Sequence, residues 1–131
     1  MILRIISNRD ELKKLSPREK FIHFGFRPST EDLFGLSQRC PRLRMIQMPP
    51  SYYRTMSKIT QYIFKDRGIT ICEGDIWGYR RDLHRDFIID ESIIEEIRTG
   101  AKNGASIDCI SNQIKEKIRI SSSLLKYIID N

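Results

Sequence analysis

Four short runs rich in β-branched and aromatic residues, at 3–7, 21–26, 43–48 and 69–72, alternate with segments whose apolar residues recur at helical spacing. Strands separated by helices cannot pair as hairpins, so this alternation confines residues 1–75 to a parallel α/β arrangement. The helical segments are expected at 10–15, 29–39 and 51–66. Ser29 or Thr30 is placed to cap the second of them, Ser51 after Pro49 and Pro50 to open the third, and Gly68 to stop it. The periodicity selects Ile5, Ile22, Phe24, Leu33, Leu36, Ile46, Ile59, Ile63 and Ile71 as the core. Strand order does not follow from the pattern. A doubly wound open sheet with helices on both faces and a sequential stack both satisfy it, and uneven strand spacing favours the open sheet over a true repeat.

After Asp75 the composition changes. A linker-like stretch containing Trp77, Tyr79, Arg80 and Arg81 leads into three short amphipathic helices. The first carries Ile93, Ile94, Ile97 and Ala101 and ends at Asn103 and Gly104. Ser106 caps the second, which bears Ile107, Ile110 and Ile114. Ser121 or Ser122 caps the third, with Leu124, Leu125, Ile128 and Ile129. The expected fold class is therefore a small four-stranded parallel sheet with intervening helices (1–86), followed by a three-helix segment resembling a helix-turn-helix (87–131).

Charge divides the chain in the same place. Residues 1–86 carry 17 Lys/Arg against 10 Asp/Glu, and residues 87–131 carry 6 against 7, so the net +6 belongs to the first part. A basic surplus suits an anionic partner, either nucleic acid or a small anionic ligand. Three cysteines at 40, 72 and 109 form no disulfide framework. With His23 and His84 they have no metal-ligand spacing, so neither metal nor cofactor is expected. No run approaches the length of a membrane span, and the opening Met1 to Ile6 reads as a strand, not a leader. The expected location is the cytoplasm.

Three groups of residues could carry function. Open parallel sheets bind ligands at the carboxyl ends of their strands, which selects Arg27, Ser29, Thr30, Ser51 and Arg54 for an anion. The C-terminal helices offer Lys115, Lys117, Arg119, Ser122 and Lys126 to nucleic acid, joined by Arg80 and Arg81 in the aromatic linker. Against this, the turn at 115–120 is long for a helix-turn-helix and lacks glycine, so a cap over the sheet or a homodimer surface competes. No nucleophile elbow or phosphate-binding glycine loop is present. No catalytic residue is assigned, and an enzyme would have to use Glu73 or Asp75. The functional expectation is a regulator with a nucleic-acid-contacting C-terminus, with an anion-, small-ligand- or protein-binding module as the alternative. Trp77 is expected in the core.

The run Phe26-Arg27-Pro28-Ser29, Cys40-Pro41 with Ile46, Pro49 and Ser51-Tyr52, and the block Glu73-Gly74-Asp75-Ile76-Trp77-Gly78 resemble an uncharacterised family of methane-producing archaea. The resemblance covers most of residues 1–85 and, more loosely, the rest. It implies an archaeal cytoplasmic protein and no particular mechanism.

Overall fold

A computed structural model describes residues 1–78 and 85–131. The elements are β1 (Ile2–Ile6), a 3-10 turn (Arg9–Lys14), β2 (Phe21–Phe24), α1 (Thr30–Arg39), β3 (Met45–Met48), α2 (Pro50–Thr55), α3 (Lys58–Asp66), β4 (Thr70–Glu73), β5 (Asp86–Ile88), α4 (Glu91–Lys102), α5 (Ile107–Ile114) and α6 (Ser122–Asp130). The four expected strands are present and pair in parallel. Ile5, His23, Gln47 and Cys72 lie in one row across them. A fifth strand, absent from the expectation, adds antiparallel to β1 and sets Phe87 opposite Leu3. Its three residues are too few to show a period of two. They straddle the expected boundary between the linker and the helical segment.

The order β4-β3-β2-β1-β5 is sequential through the parallel strands, not doubly wound. Consecutive crossovers of one hand place every connection on the same face. Accordingly Leu15, Leu33, Leu36 and Phe64 pack with Ile6, Ile22, Phe24, Ile46 and Met48. The opposite face would be bare if the chain stopped there. It is covered instead by α4, α5 and α6, whose Ile97, Ile110, Leu124 and Leu125 share a cluster with Leu3, Ile5, Met45, Cys72 and Phe87. The C-terminal helices thus form the second helical layer of a three-layer structure, built on the same strands as the first.

Local chemistry accounts for most boundaries. Ser29 and Asp32 form a reciprocal capping box at α1, and Ser106 and Ser121 cap α5 and α6. Gly68 and Gly104 adopt positive φ (77° and 87°) just beyond α3 and α4, the left-handed conformation that ends a helix. The expected single helix over 51–66 is two. Pro50, not Ser51, opens α2, and Met56 and Ser57 are extended. The Ser57 side chain then accepts from Thr60 N and restarts the chain as α3. That break resets the helical phase. Thr60 and Phe64 point inward, Ile59 is 74% exposed, contrary to expectation, and Ile63 and Ile71 are only half-buried. The other six expected core residues are buried.

Candidate functional site

The carboxyl edge of the sheet carries two polar groupings, one on each side. On the side of α1 and α2, Pro28 and Pro49 turn the chain out of β2 and β3 into helix starts. Between these starts lies a cleft of about 300 Å³ lined by Arg27, Ser29, Thr30, Tyr52, Thr55 and Ser57 over Leu33 and Met48. Arg27 Nη1 donates to Ser51 O at 3.5 Å and to Thr55 Oγ1, and its guanidinium lies 4.8 Å from the Tyr52 ring centroid. All these partners are neutral, so the cation is fixed in place without being neutralised.

Of the residues expected to hold an anion, Arg27, Ser29 and Thr30 meet in this cleft. Ser51 contributes only its carbonyl, and Arg54 is exposed outside it. The α1 start is already occupied in part. Ser29 Oγ accepts from Asp32 N, while Arg9 Nε donates to both Asp32 oxygens at 2.9 and 3.0 Å. Burial pushes the Asp32 carboxyl up, but the bonds from Arg9 and Ser29 outweigh it and hold it below the usual carboxylate range.

On the opposite side, under the C-terminal helices, His23 of β2 and Gln47 of β3 are fully buried. Gln47 Nε2 donates to His23 Nδ1 at 2.9 Å, which leaves the imidazole proton on Nε2, facing Asp75 Oδ1 at 3.9 Å. The block at 73–76 straps across this pair. Gly74 N donates to Met48 O, Glu73 N to Ser123 Oγ, and Ile76 N to Asp75 Oδ1. Asp75 belongs to a polar cluster, as a catalytic or binding carboxylate would, whereas Glu73 is exposed and joins through its backbone alone. His23 entered the sequence reading only as a metal ligand, and Gln47 did not enter it at all. The available signal was one polar residue in each of two otherwise apolar central strands, at positions that parallel register brings side by side. Among the described residues no group of His, Cys, Asp or Glu could hold a metal ion.

The residues offered to nucleic acid are dispersed. Lys115, Ser122 and Lys126 are exposed, Lys117 Nζ is bound to Glu96 Oε2 at 2.8 Å, and Arg119 stacks 4.3 Å from the Trp77 ring. Trp77 is half-buried on the surface, while its neighbour Ile76 enters the core. The last helix of the expected helix-turn-helix-like segment, α6, buries Leu124, Leu125, Tyr127 and Ile128. Ser123 at its start is tied to β4. Arg80 and Arg81 lie outside the described residues.

The thiols differ sharply. Burial pushes Cys40 and Cys72 up to about 11, whereas Cys109 is exposed. Since the thiolate is the reactive form, a maleimide at pH 8 should label one thiol in the folded protein and all three in denaturant, as counted by mass. Rapid native labelling of Cys72 would mean that α6 lifts from β4.

The elements at this edge, from β1 through the strap, coincide with a known sequence family. The N-terminal domain of a family of unknown function, DUF1699, matches residues 2–85. The chain belongs to this family. The DUF1699 region thus takes in the four parallel strands, their connections and the strap, and ends immediately before β5. No curated protein and no solved structure matches the chain. No helix among the described residues is long and apolar enough to cross a membrane.

Proposed function

We propose that this DUF1699 protein is a binding module for a small anionic ligand, seated at the carboxyl edge of its parallel sheet between Arg27 and the start of α1. One observation carries the reading. Arg27 stands at the wall of a hydroxyl-lined cleft, oriented by Tyr52 and Ser51, with no carboxylate partner among the described residues. A guanidinium held this way retains donors for a ligand oxygen and needs no reorganisation to use them. Thr30 adds a neutral hydroxyl, while those of Thr55 and Ser57 are hydrogen-bonded to Tyr52 and Thr60 and hold the cleft wall, a lining that suits a phosphate or carboxylate group.

Titration with inorganic phosphate and sulfate, followed by amide shifts, tests the reading. Binding should perturb residues 27–30 and 52–57, and Arg27→Ala should weaken it by about 1.5–3 kcal/mol through loss of a charge-assisted hydrogen bond. Absence of saturable shifts at these residues would refute it. A parallel titration with duplex DNA addresses the second reading, a nucleic-acid regulator, which rests on the basic surplus of residues 1–86 and the exposed Lys115, Arg119 and Lys126. Duplex binding that weakens steeply with salt and survives Arg27→Ala would favour that reading instead.

A further inference from the structure

The opposite, amino edge of the sheet holds a second opening. The starts of β2 and β3 and the facing sides of α4 and α6 leave a cleft of about 170 Å³ there. Phe21, Ile94 and Ile128 make its apolar wall, and Arg44, Arg98 and Tyr127 line it as well. The two arginines come from different elements, one just before β3 and one on α4, yet both border this one small space. Among the described residues, neither finds an ion-pair or side-chain hydrogen-bond partner, and the Tyr127 hydroxyl finds no hydrogen-bond partner. The one side-chain carboxylate among the described residues lining the cleft, Glu91, is 85% exposed and paired with the Met1 amine at 3.3 Å.

We propose that Arg44, Arg98 and Tyr127 form a binding site for a small amphipathic carboxylate, whose charged end meets the two guanidiniums and whose apolar body lies on Phe21, Ile94 and Ile128. Two cations bordering one cleft favour an anion between them, and guanidiniums match a carboxylate in a planar, bidentate fashion. Burial raises the Tyr127 phenol against the opposing pull of Arg44, so the hydroxyl remains a donor at neutral pH. The apolar wall sets the ligand class. A fully hydrated inorganic anion gains nothing from it, whereas a compact aromatic or branched aliphatic carboxylate buries its body there. The site is separate from the carboxyl-edge cleft and does not depend on its occupancy.

Benzoate is a suitable probe, with inorganic phosphate as the hydrophilic control. Titration of the full chain, followed by amide shifts and calorimetry, should give saturable millimolar binding, the range expected of so small a ligand. The shifts should centre on residues 21, 44, 94, 98 and 127. Arg44→Ala and Arg98→Ala lie on exposed positions, so the fold should persist while the affinity for benzoate falls about tenfold or more in each. Arg27→Ala should leave the benzoate shifts at residues 21, 44, 94, 98 and 127 unchanged, which separates this site from the carboxyl-edge one. The proposal is overturned if benzoate produces no saturable shifts at these residues, if both arginine variants bind as the parent does, or if phosphate binds the same residues as tightly as benzoate.

Discussion

Leu125→Ala should destabilise the entire chain, by about 2–5 kcal/mol, and not merely loosen the C-terminal helices. Leu125 is fully buried against the face of the sheet that carries Leu3, Ile5, Met45 and Cys72. Phe24, equally buried on the other face among Leu33, Leu36 and Phe64, should cost about 3–5 kcal/mol when cut to alanine. The two residues never share a cluster, but they lean on opposite sides of the same strands. Loss of either layer exposes the sheet to water, so both substitutions should lower the urea midpoint of one common transition with its slope unchanged. Circular dichroism and Trp77 fluorescence should report that transition together. Two separate transitions, with Leu125→Ala moving only one, would show that residues 87–131 fold as an independent unit. By the same reasoning a chain cut after Asp86 loses β5 and the whole second helical layer, and should aggregate through its bared apolar face.

Gly74→Ala is expected to cost about 1–3 kcal/mol, although its backbone is one any residue can adopt, since Gly74 is not among the positive-φ glycines. The reason is space. A Cβ built there would lie 2.4 Å from Ser121 Oγ, 2.6 Å from Ser121 Cβ and 3.0 Å from Gln47 Oε1. Ser121 cannot swing away cheaply, because its Oγ accepts from Leu124 N and caps α6. The strap must rise or the helix start must retreat. Ser121→Gly removes both clashing atoms and costs a cap only a few tenths of a kcal/mol, so the double variant should recover most of the loss. Gly35 supplies the contrast. It lies inside α1, where an added methyl would meet nothing within 4 Å, and Gly35→Ala should stabilise by about 0.5–1 kcal/mol. Equal effects at the two glycines, measured by urea unfolding, would refute the close approach of α6 to the strap.

The carboxyl-edge cleft was partly legible in advance, because the rule that parallel sheets place their ligand sites at the carboxyl ends of the strands needs only the order of strands and helices. Arg27, Ser29 and Thr30 follow β2 directly and had nowhere else to go. Arg54 was misplaced by the same argument. It sits on α2, and a helix residue's direction depends on where that helix starts, which Pro50 sets one position earlier than Ser51 would have. Arg44, Arg98 and Tyr127 carry no shared pattern, since they meet only after three elements have packed.

What the amino-acid sequence determined by itself is what short-range chemistry controls: four strands from β-branched runs, a cap at Ser106 and caps within 29–30 and 121–122, stops at Gly68 and Gly104, and the buried faces of the helices whose phase was right. The tertiary structure alone decided the sequential strand order, the recruitment of β5, the burial of His23 beside Gln47, and the use of α4, α5 and α6 as the second helical layer. Periodicity and capping act over three or four residues, where one local choice has one local cost. The strand pairings join positions 18 to 86 residues apart, and the His23, Gln47 and Asp75 cluster positions 24 to 52 apart, so only the burial of both sheet faces selects among the pairings that local rules leave equal.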